Sequence, residues 1–95
     1  MNLTVVAKVI SKEGQSKAVG EELYKLIAPT LKEEGCVNYD LHQSIEDENI
    51  FIFHENWTSE GHLDAHLATD HIAHCQAAIA DLIESTEVHR LYQKV

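Results

Sequence analysis

Cysteine and proline are scarce in this chain. Its 95 residues include two cysteines, Cys36 and Cys75, and a single proline, Pro29. Two cysteines are too few for a disulfide-rich secreted scaffold, and they do not form a Cys-x-x-Cys motif. We therefore expect two reduced thiols and a cytoplasmic protein.

Positive charge is also scarce. Seven Lys and Arg residues stand against 16 Asp and Glu residues, so the formal net charge is −9. An acidic chain without a basic stripe is poorly suited to binding nucleic acid or an anionic membrane. No apolar run approaches the ~18 residues of a membrane-spanning helix, and the N-terminus lacks the charged region of a signal peptide. The sequence predicts neither a nucleic-acid nor a membrane partner.

The length and the hydrophobic content predict one globular domain over residues 1–95. Hydrophobic residues make up 44% of the chain, which is ordinary for a folded protein. A domain of this size has a thin stability margin, and pairing with a second copy is a common remedy.

The hydrophobic periodicity predicts the order β-α-β-β-α-β, with the second helical segment divided. Strands are expected at residues 3–10, 36–44, 50–57 and 86–93, and a first helix at residues 16–34. Pro29 lies inside that helix and should bend or divide it. Ser59 can cap a short helix that runs to about residue 68. Thr69 or Asp70 can cap the next helix, whose apolar stripe continues to Ile83.

This order is that of a ferredoxin-like split βαβ, an α+β fold in which helices cover one face of an antiparallel four-stranded sheet. Pairing Ser44 with Ile50 brings a largely apolar set of side chains onto one face of the sheet: Val37, Tyr39, Leu41, Phe51, Phe53, Glu55 and Trp57. The opposite face carries Val6 and Ile52 and remains uncovered. A second sheet is the simplest cover, so we predict a homodimer.

Four of the seven histidines cluster at His62, His66, His71 and His74. His62 and His66 share a helix face, which suits a metal, but no carboxylate is evident as a third ligand and HExxH is absent. We therefore predict no metal site. The histidines either lie on the surface or line a pocket as acid, base or hydrogen-bond donor, because histidine titrates near neutral pH.

Glu55 and Trp57 end the third predicted strand, where pockets open in such folds. Trp57 could stack on a flat substrate and Glu55 could accept a proton. Alternatively, Trp57 fills the end of the core and Glu55 is a satisfied or exposed carboxylate. Cys75 lies on an apolar helix stripe and is better explained as a core residue than as a nucleophile. Phosphate-binding glycine motifs are absent, so no bound nucleotide is expected.

Three segments together resemble the antibiotic biosynthesis monooxygenase (ABM) domain, and within it the quinol monooxygenase branch. They are Glu34-Gly35-Cys36-x-x-Tyr39-x-Leu41, Phe53-x-Glu55-x-Trp57-x-Ser59 and His62-Leu63-x-x-His66-Leu67-x-Thr69-x-His71. The resemblance covers nearly the whole chain. It implies a dimeric α+β barrel with a pocket between sheet and helices in each subunit. It also implies oxidation of phenols and quinols by molecular oxygen without metal, haem or flavin.

The chemistry of the family varies. Haem-degrading relatives carry an iron-binding histidine where this chain has Gln76, and polyketide-oxidising relatives carry an asparagine where it has Phe53. The run His66-x-x-Thr69-x-His71-x-x-x-Cys75 is similar to that of an isomerase of a phosphorylated dione derived from an autoinducer. The resemblance therefore leaves the reaction class open.

Our leading hypothesis is a cofactor-independent monooxygenase that oxidises a small quinol or polyphenol. His66 or His71 would be the base or hydrogen-bond donor, and Glu55 would orient a histidine. The substrate-binding walls would be Trp57, Tyr39 and Phe53. The alternatives are an isomerase of a small dione and a non-catalytic module that binds a small aromatic molecule.

The site hypothesis also makes a structural prediction. Residues five apart on one straight helix diverge by about 140°, so His66 and His71 can approach each other only if the helix breaks between them. Such a break would let both histidines and Trp57 border one cavity, with His62 farther out.

Overall fold

The computed structural model describes residues 2–95 and contains eight helices and strands. In chain order they are β1 (Leu3–Ser11), α1 (Ser16–Tyr24), α2 (Ile27–Leu31), β2 (Cys36–Gln43), β3 (Ile50–Trp57), α3 (Glu60–Leu67), α4 (Asp70–Ile79) and β4 (Ile83–Leu91). The strands form one antiparallel sheet in the order β2-β3-β1-β4. This confirms the predicted ferredoxin-like α+β fold. Among the described residues, no helix has both the length and the hydropathy to cross a lipid bilayer.

Strand β1 lies between β3 and β4, and its burial alternates along most of its length, with Ala7 only half-buried on the covered face. Leu3, Val5 and Val9 are buried on the face that the helices cover. Val6 and Ile10 point to the other face and are half-buried. Apolar side chains on both faces of a strand are expected where both faces are to be covered.

The predicted register of the hairpin between β2 and β3 is confirmed. Gln43 lies opposite Phe51, and the Ser44 N–H donates to the Ile50 carbonyl at 2.9 Å. Val37 was expected on the apolar face that meets the helices. This expectation is wrong, because the residue is 51% exposed. The register shifts just beside it, at the start of β2, so Val37 no longer follows the alternation of the later residues.

The first helical segment is divided, as the proline predicts. Helix α1 ends at Tyr24, and α2 begins at Ile27 with Pro29 as its third residue. The proline ring excludes the carbonyl four residues earlier, which belongs to Lys25, so the break falls one turn before the proline. Leu31 was expected on the apolar stripe but is 53% exposed, because the stripe does not continue across the break.

The second helical segment also breaks where the caps predict. The Ser59 hydroxyl accepts the His62 N–H at 3.2 Å, and the Thr69 hydroxyl accepts the Ile72 N–H at 3.4 Å. The end of α4 differs from the prediction: the helix stops at Ile79 and β4 already begins at Ile83. A short apolar run fits helix and strand equally well, and here pairing of Ile83 with Ser11 of β1 decides for the strand.

Gly35 lies between α2 and β2, where the chain passes close to the start of α3. Its φ of +84° belongs to the left-handed region, and a Cβ atom built on it would collide with the side chain of His62. Its carbonyl accepts the Thr58 N–H at 2.9 Å. The absence of a side chain at this position lets the turn that carries Glu33 approach α3 closely.

Candidate active site

A cavity of about 490 Å³ lies between the sheet and the helices. This volume falls within the range of small-molecule sites. Most of its lining is apolar, and it also includes the side chains of Tyr39, Phe53, Glu55 and His66. Among the residues that the structure describes, no lysine or arginine lines it.

His66 is the histidine that faces this cavity. It lies on α3, one turn after the buried Leu63, and is only 2% exposed. Its ring centroid is 4.7 Å from that of Trp57 and 5.4 Å from that of Tyr39, the latter in an edge-on contact. These neighbours on two strands, β2 and β3, hold the imidazole in one orientation.

Glu33 connects His66 with His71. A single oxygen, Oε2 of Glu33, lies 2.7 Å from Nδ1 of His66 and 2.7 Å from Nε2 of His71. A carboxylate accepts hydrogen bonds and does not donate them, so each imidazole donates an N–H to this oxygen. The break between α3 and α4 turns the two rings toward each other, with centroids 6.1 Å apart.

The second ring nitrogen of His66, Nε2, is free to act on a ligand. Within residues 2–95, one side-chain polar atom, Thr30 Oγ1, is buried without a hydrogen-bond partner. His66 Nε2 is therefore not both buried and unpaired. In this part of the chain no group bonds to His66 Nε2, so this nitrogen reaches open space, which beside His66 is the cavity. Burial lowers the pKa of His66, and Glu33 partly opposes this effect. The neutral imidazole, with a lone pair on Nε2, is therefore the favoured form at neutral pH.

Glu55 is a second acid–base group in the cavity. It lies on β3, is 4% exposed, and accepts a hydrogen bond from Trp57 Nε1 at 2.9 Å. Burial raises the pKa of Glu55 to about 7, although the Trp57 bond opposes the shift. Among the described residues, the Glu55 side chain hydrogen-bonds to Trp57 and to no histidine, so the expectation that Glu55 orients a histidine is wrong. The carboxylate that does so is Glu33.

Two aromatic side chains form a wall of the cavity. Tyr39 on β2 and Phe53 on β3 stand with ring centroids 4.6 Å apart. Burial raises the pKa of Tyr39, so its hydroxyl stays protonated at neutral pH. The pair gives the cavity a flat apolar surface beside the imidazole of His66.

Comparison with known proteins identifies the family. The model of the antibiotic biosynthesis monooxygenase family matches residues 2–78. The chain belongs to this family. The ABM resemblance of the three sequence segments is thereby confirmed.

Relatives match over most of the chain. Probable quinol monooxygenase YgiN of Escherichia coli K12 is 35% identical, over 86% of this chain and 89% of its own length. The crystal structure of PA3566 from Pseudomonas aeruginosa has a TM-score of 0.94 and 31% identity, and covers 99% of this chain and 95% of its own. A conserved protein from Methanosarcina mazei has a TM-score of 0.90 and 32% identity, with coverages of 99% and 94%.

The six predicted site residues of this ABM protein do not all border the cavity. Tyr39, Phe53, Glu55 and His66 line it, whereas His71 and Trp57 do not. The predicted approach of His66 and His71 is observed, but His71 faces a separate surface depression beside His74. Trp57 is fully buried and supports His66 and Glu55 from behind.

Sequence reasoning missed Glu33. The residue lies 33 positions before His66, next to the exposed Glu34, and nothing in its local pattern distinguishes the two glutamates. Its importance comes from the turn after α2, which sets it against α3 and α4. The available signal was an acidic residue that a chain reversal could bring next to the two clustered histidines. Whether it comes to lie there depends on the tertiary fold.

Glu33 is the carboxylate that the sequence did not reveal as a third metal ligand beside two histidines. The possible ligand atoms of Glu33, His66 and His71 lie within 4.8 Å of one another. The distances of 2.7 Å are those of charge-assisted hydrogen bonds. Two ligands of a tetrahedral zinc, each bonded at ~2.0–2.1 Å, would lie about 3.3 Å apart. The group is thus arranged for hydrogen bonding, and the absence of a metal in this ABM protein stays a prediction.

Proposed function

We propose that this protein is a cofactor-independent monooxygenase that oxidises a small quinol or polyphenol with molecular oxygen. One observation carries the proposal: a buried imidazole, His66, faces an apolar cavity with Nε2 free while Nδ1 is bonded to Glu33. Similarity to a protein named a probable quinol monooxygenase supports the same reaction class.

The reaction begins with the base. His66 Nε2 accepts the hydroxyl proton of the bound quinol, which becomes an electron-rich phenolate. The phenolate passes one electron to oxygen, and the resulting radical and superoxide combine at a ring carbon. The peroxide takes back the proton that His66 holds. Its O–O bond then breaks while the same carbon loses its hydrogen as a proton, which leaves a carbonyl on the ring and releases the second oxygen as water.

The cavity favours this chemistry over chemistry in water. Its apolar lining excludes solvent from the radical intermediates, and the wall formed by Tyr39 and Phe53 packs against a flat ring. Glu55 supplies a second group that exchanges protons near neutral pH. We assign it to the oxygen atom of the substrate that does not face His66.

The charge of the cavity argues against a phosphorylated dione as substrate. A buried phosphate needs arginine or lysine partners, and none lines the cavity. Arg90, the one arginine of the chain, pairs with Glu60 and Asp64 at the surface. The isomerase alternative is therefore not favoured. A non-catalytic module would bind a small aromatic molecule without turning it over.

We also propose that the protein is a homodimer and lies in the cytoplasm. The face of the sheet that the helices leave open carries half-buried apolar residues such as Ile50 and Ile52, which a second copy would cover as a dimeric α+β barrel. Both cysteines are free, which fits the reducing cytoplasm.

Oxygen consumption tests the proposal. The purified protein should consume oxygen with at least one member of a panel of benzoquinols and naphthoquinols, without added metal or flavin. His66→Gln should lower kcat by about 10²–10⁴ because it removes the base. The matched control is His74→Gln, since His74 is exposed on α4, and this variant should keep full activity. Full activity in His66→Gln, or no oxygen uptake with any quinol, would refute the proposal.

A further inference from the structure

We infer that Glu33 and His71 are positioning residues for His66, which they hold as the Nδ1–H tautomer with the Nε2 lone pair turned to the cavity. The inference rests on the proposed function only for its kinetic consequence. The tautomer of the buried imidazole is a property of the substrate-free protein, whatever reaction the protein catalyses.

The hydrogen-bond pattern decides the tautomer. Neutral imidazole carries one proton, and the nitrogen that holds it is the one whose partner accepts. Glu33 Oε2 can only accept, and it lies 2.7 Å from His66 Nδ1. The proton therefore resides on Nδ1, and Nε2 keeps its lone pair. A donor in place of Glu33 would reverse this arrangement and leave no base in the cavity.

Glu33 also stabilises the protonated state of the base. His66 is almost completely buried, so an imidazolium formed there without a counter-charge would be costly. The Glu33 side chain is only 15% exposed, so water weakens its attraction for the imidazolium less than at an open surface. The carboxylate thus makes proton uptake by His66 Nε2 more favourable.

His71 holds Glu33 in place from the other side. Its Nε2–H donates to the same oxygen at 2.7 Å, and its side chain is 26% exposed. Two short bonds to one oxygen leave the carboxylate little freedom to rotate away from His66. Thr69 contributes by capping α4 while its hydroxyl donates to the His66 carbonyl at 2.7 Å, which ties the two helices together at the break.

Five titratable groups contact His66 or line the same cavity, and one of them is the Cys75 thiol on α4. Glu33 and His71 act on its charge directly, Tyr39 meets its ring from β2, and Glu55 lines the same cavity from β3. Of these, Glu33 raises the pKa of His66 and His71 lowers it. Loss of the Glu33 charge should therefore lower the pKa of His66 and move the acid limb of the activity profile to lower pH.

The first test reads the tautomer without any reaction. Long-range ¹H–¹⁵N spectra of the substrate-free protein should show His66 with a protonated Nδ1 and an unprotonated Nε2. Glu33→Ala should release this preference, so that both tautomers are populated, while Glu34→Ala, the same change at the exposed neighbour, should leave the spectrum unchanged. A protonated Nε2 in the wild type, or an unaltered His66 signal in Glu33→Ala, would overturn the inference.

The second test reads the kinetics. Glu33→Gln and Glu33→Ala should lower kcat by about 10- to 100-fold, as is usual when the partner of a working histidine is lost. KM should change little because Glu33 does not line the cavity. The acid limb should shift to lower pH in Glu33→Gln, whereas a loss of folded protein alone would leave its midpoint in place. His71→Ala should also lower kcat, by a smaller factor, but it should move the acid limb in the opposite direction, because His71 lowers the pKa of His66.

The outcomes separate this inference from the proposed function. An inactive protein whose His66 still shows the Glu33-dependent Nδ1–H tautomer would refute the quinol reaction and retain the positioning role. An active protein whose profile does not move in Glu33→Gln would refute the positioning role alone. Stoichiometric zinc that co-purifies with the wild type and is lost in Glu33→Ala would also overturn it, because Glu33 would then be a metal ligand.

Discussion

Burial acts in opposite directions on the two acid–base groups of the cavity. It disfavours whichever form is charged, so the pKa of Glu55 rises to about 7 and the pKa of His66 falls. Both groups are then largely uncharged or close to titration at neutral pH. An uncharged aromatic diol can enter such a cavity without leaving an isolated charge behind, and proton exchange with either group remains possible.

The raised pKa of Glu55 should make stability depend on pH. In the pH range between the unfolded value of 4.5 and about 7, the folded protein binds more protons than the unfolded chain, so its free energy of unfolding falls as pH rises. Glu55→Gln removes this dependence while its amide oxygen can still accept the Trp57 N–H. Relative to this variant, the wild type should lose roughly 3 kcal/mol across that range.

Urea unfolding at several pH values between 4.5 and 8 would measure the effect. Glu34→Gln is the matched control, because Glu34 is exposed and its loss should leave the wild-type slope in place. Parallel curves for the wild type and Glu55→Gln would show that the carboxyl is not held in its neutral form.

At the scale of elements, the site depends on two interruptions. The break before Pro29 directs α2 so that the following turn presents Glu33. The break between α3 and α4, with Thr69 as cap, brings His71 back toward His66. On a continuous helix the two histidines would diverge, and no single carboxylate oxygen could bond to both.

Gly35 should be far less tolerant of substitution than Gly14. Both glycines have positive φ values, +84° and +81°, so alanine carries a similar backbone penalty of ~1 kcal/mol at each. A Cβ at Gly14 meets nothing within 4 Å, whereas one at Gly35 collides with the His62 ring. Gly35→Ala should therefore cost clearly more stability than Gly14→Ala.

Thermal or urea unfolding of both variants would test this difference. Adding His62→Ala to Gly35→Ala should recover part of the loss, since it removes the two ring atoms that the new Cβ meets and leaves the His62 Cβ as the remaining close contact. Equal destabilisation at the two glycines would mean that the contact with α3 is not restrictive and that the turn carrying Glu33 can move.

At the scale of the whole molecule, residues 2–95 leave one face of the sheet without a cover. Helices cover the face that carries Val5 and Phe53, both nearly fully buried. On the opposite face, Val6 and Ile52 are only half-buried by their own neighbours. An apolar sheet face of this kind is usually covered by a partner, and a second copy satisfies this with a symmetric contact.

Light scattering should give a mass near twice 10.7 kDa. Ile52→Glu should weaken the dimer, because it sets a charge in the middle of the proposed interface. Ile45→Glu is the control: Ile45 is 97% exposed in the hairpin between β2 and β3, so this variant should remain dimeric. A stable wild-type monomer at micromolar concentration would contradict the barrel arrangement.

Much of the fold could be read from the sequence because its signals are local. A valine-rich, β-branched run predicted β1, Ser59 and Thr69 predicted the caps, and Pro29 predicted the divided helix, each through the geometry of its own few neighbours. The end of α4 and the exposure of Val37 were missed. Strand pairing decides both, because Ile83 joins β1 and the register shifts beside Val37.

The sequence by itself determined the order of the elements, the hairpin register, the family and the choice of His66 as a candidate base. Only the tertiary structure decided that Glu33 is the partner of both histidines, that Glu55 bonds to Trp57 instead of a histidine, and that His71 and Trp57 stand behind the cavity. The physical reason is distance along the chain. Hydrogen-bond partners separated by 33 and 38 residues leave no periodic pattern, and the burial that shifts a pKa exists only once the elements have packed.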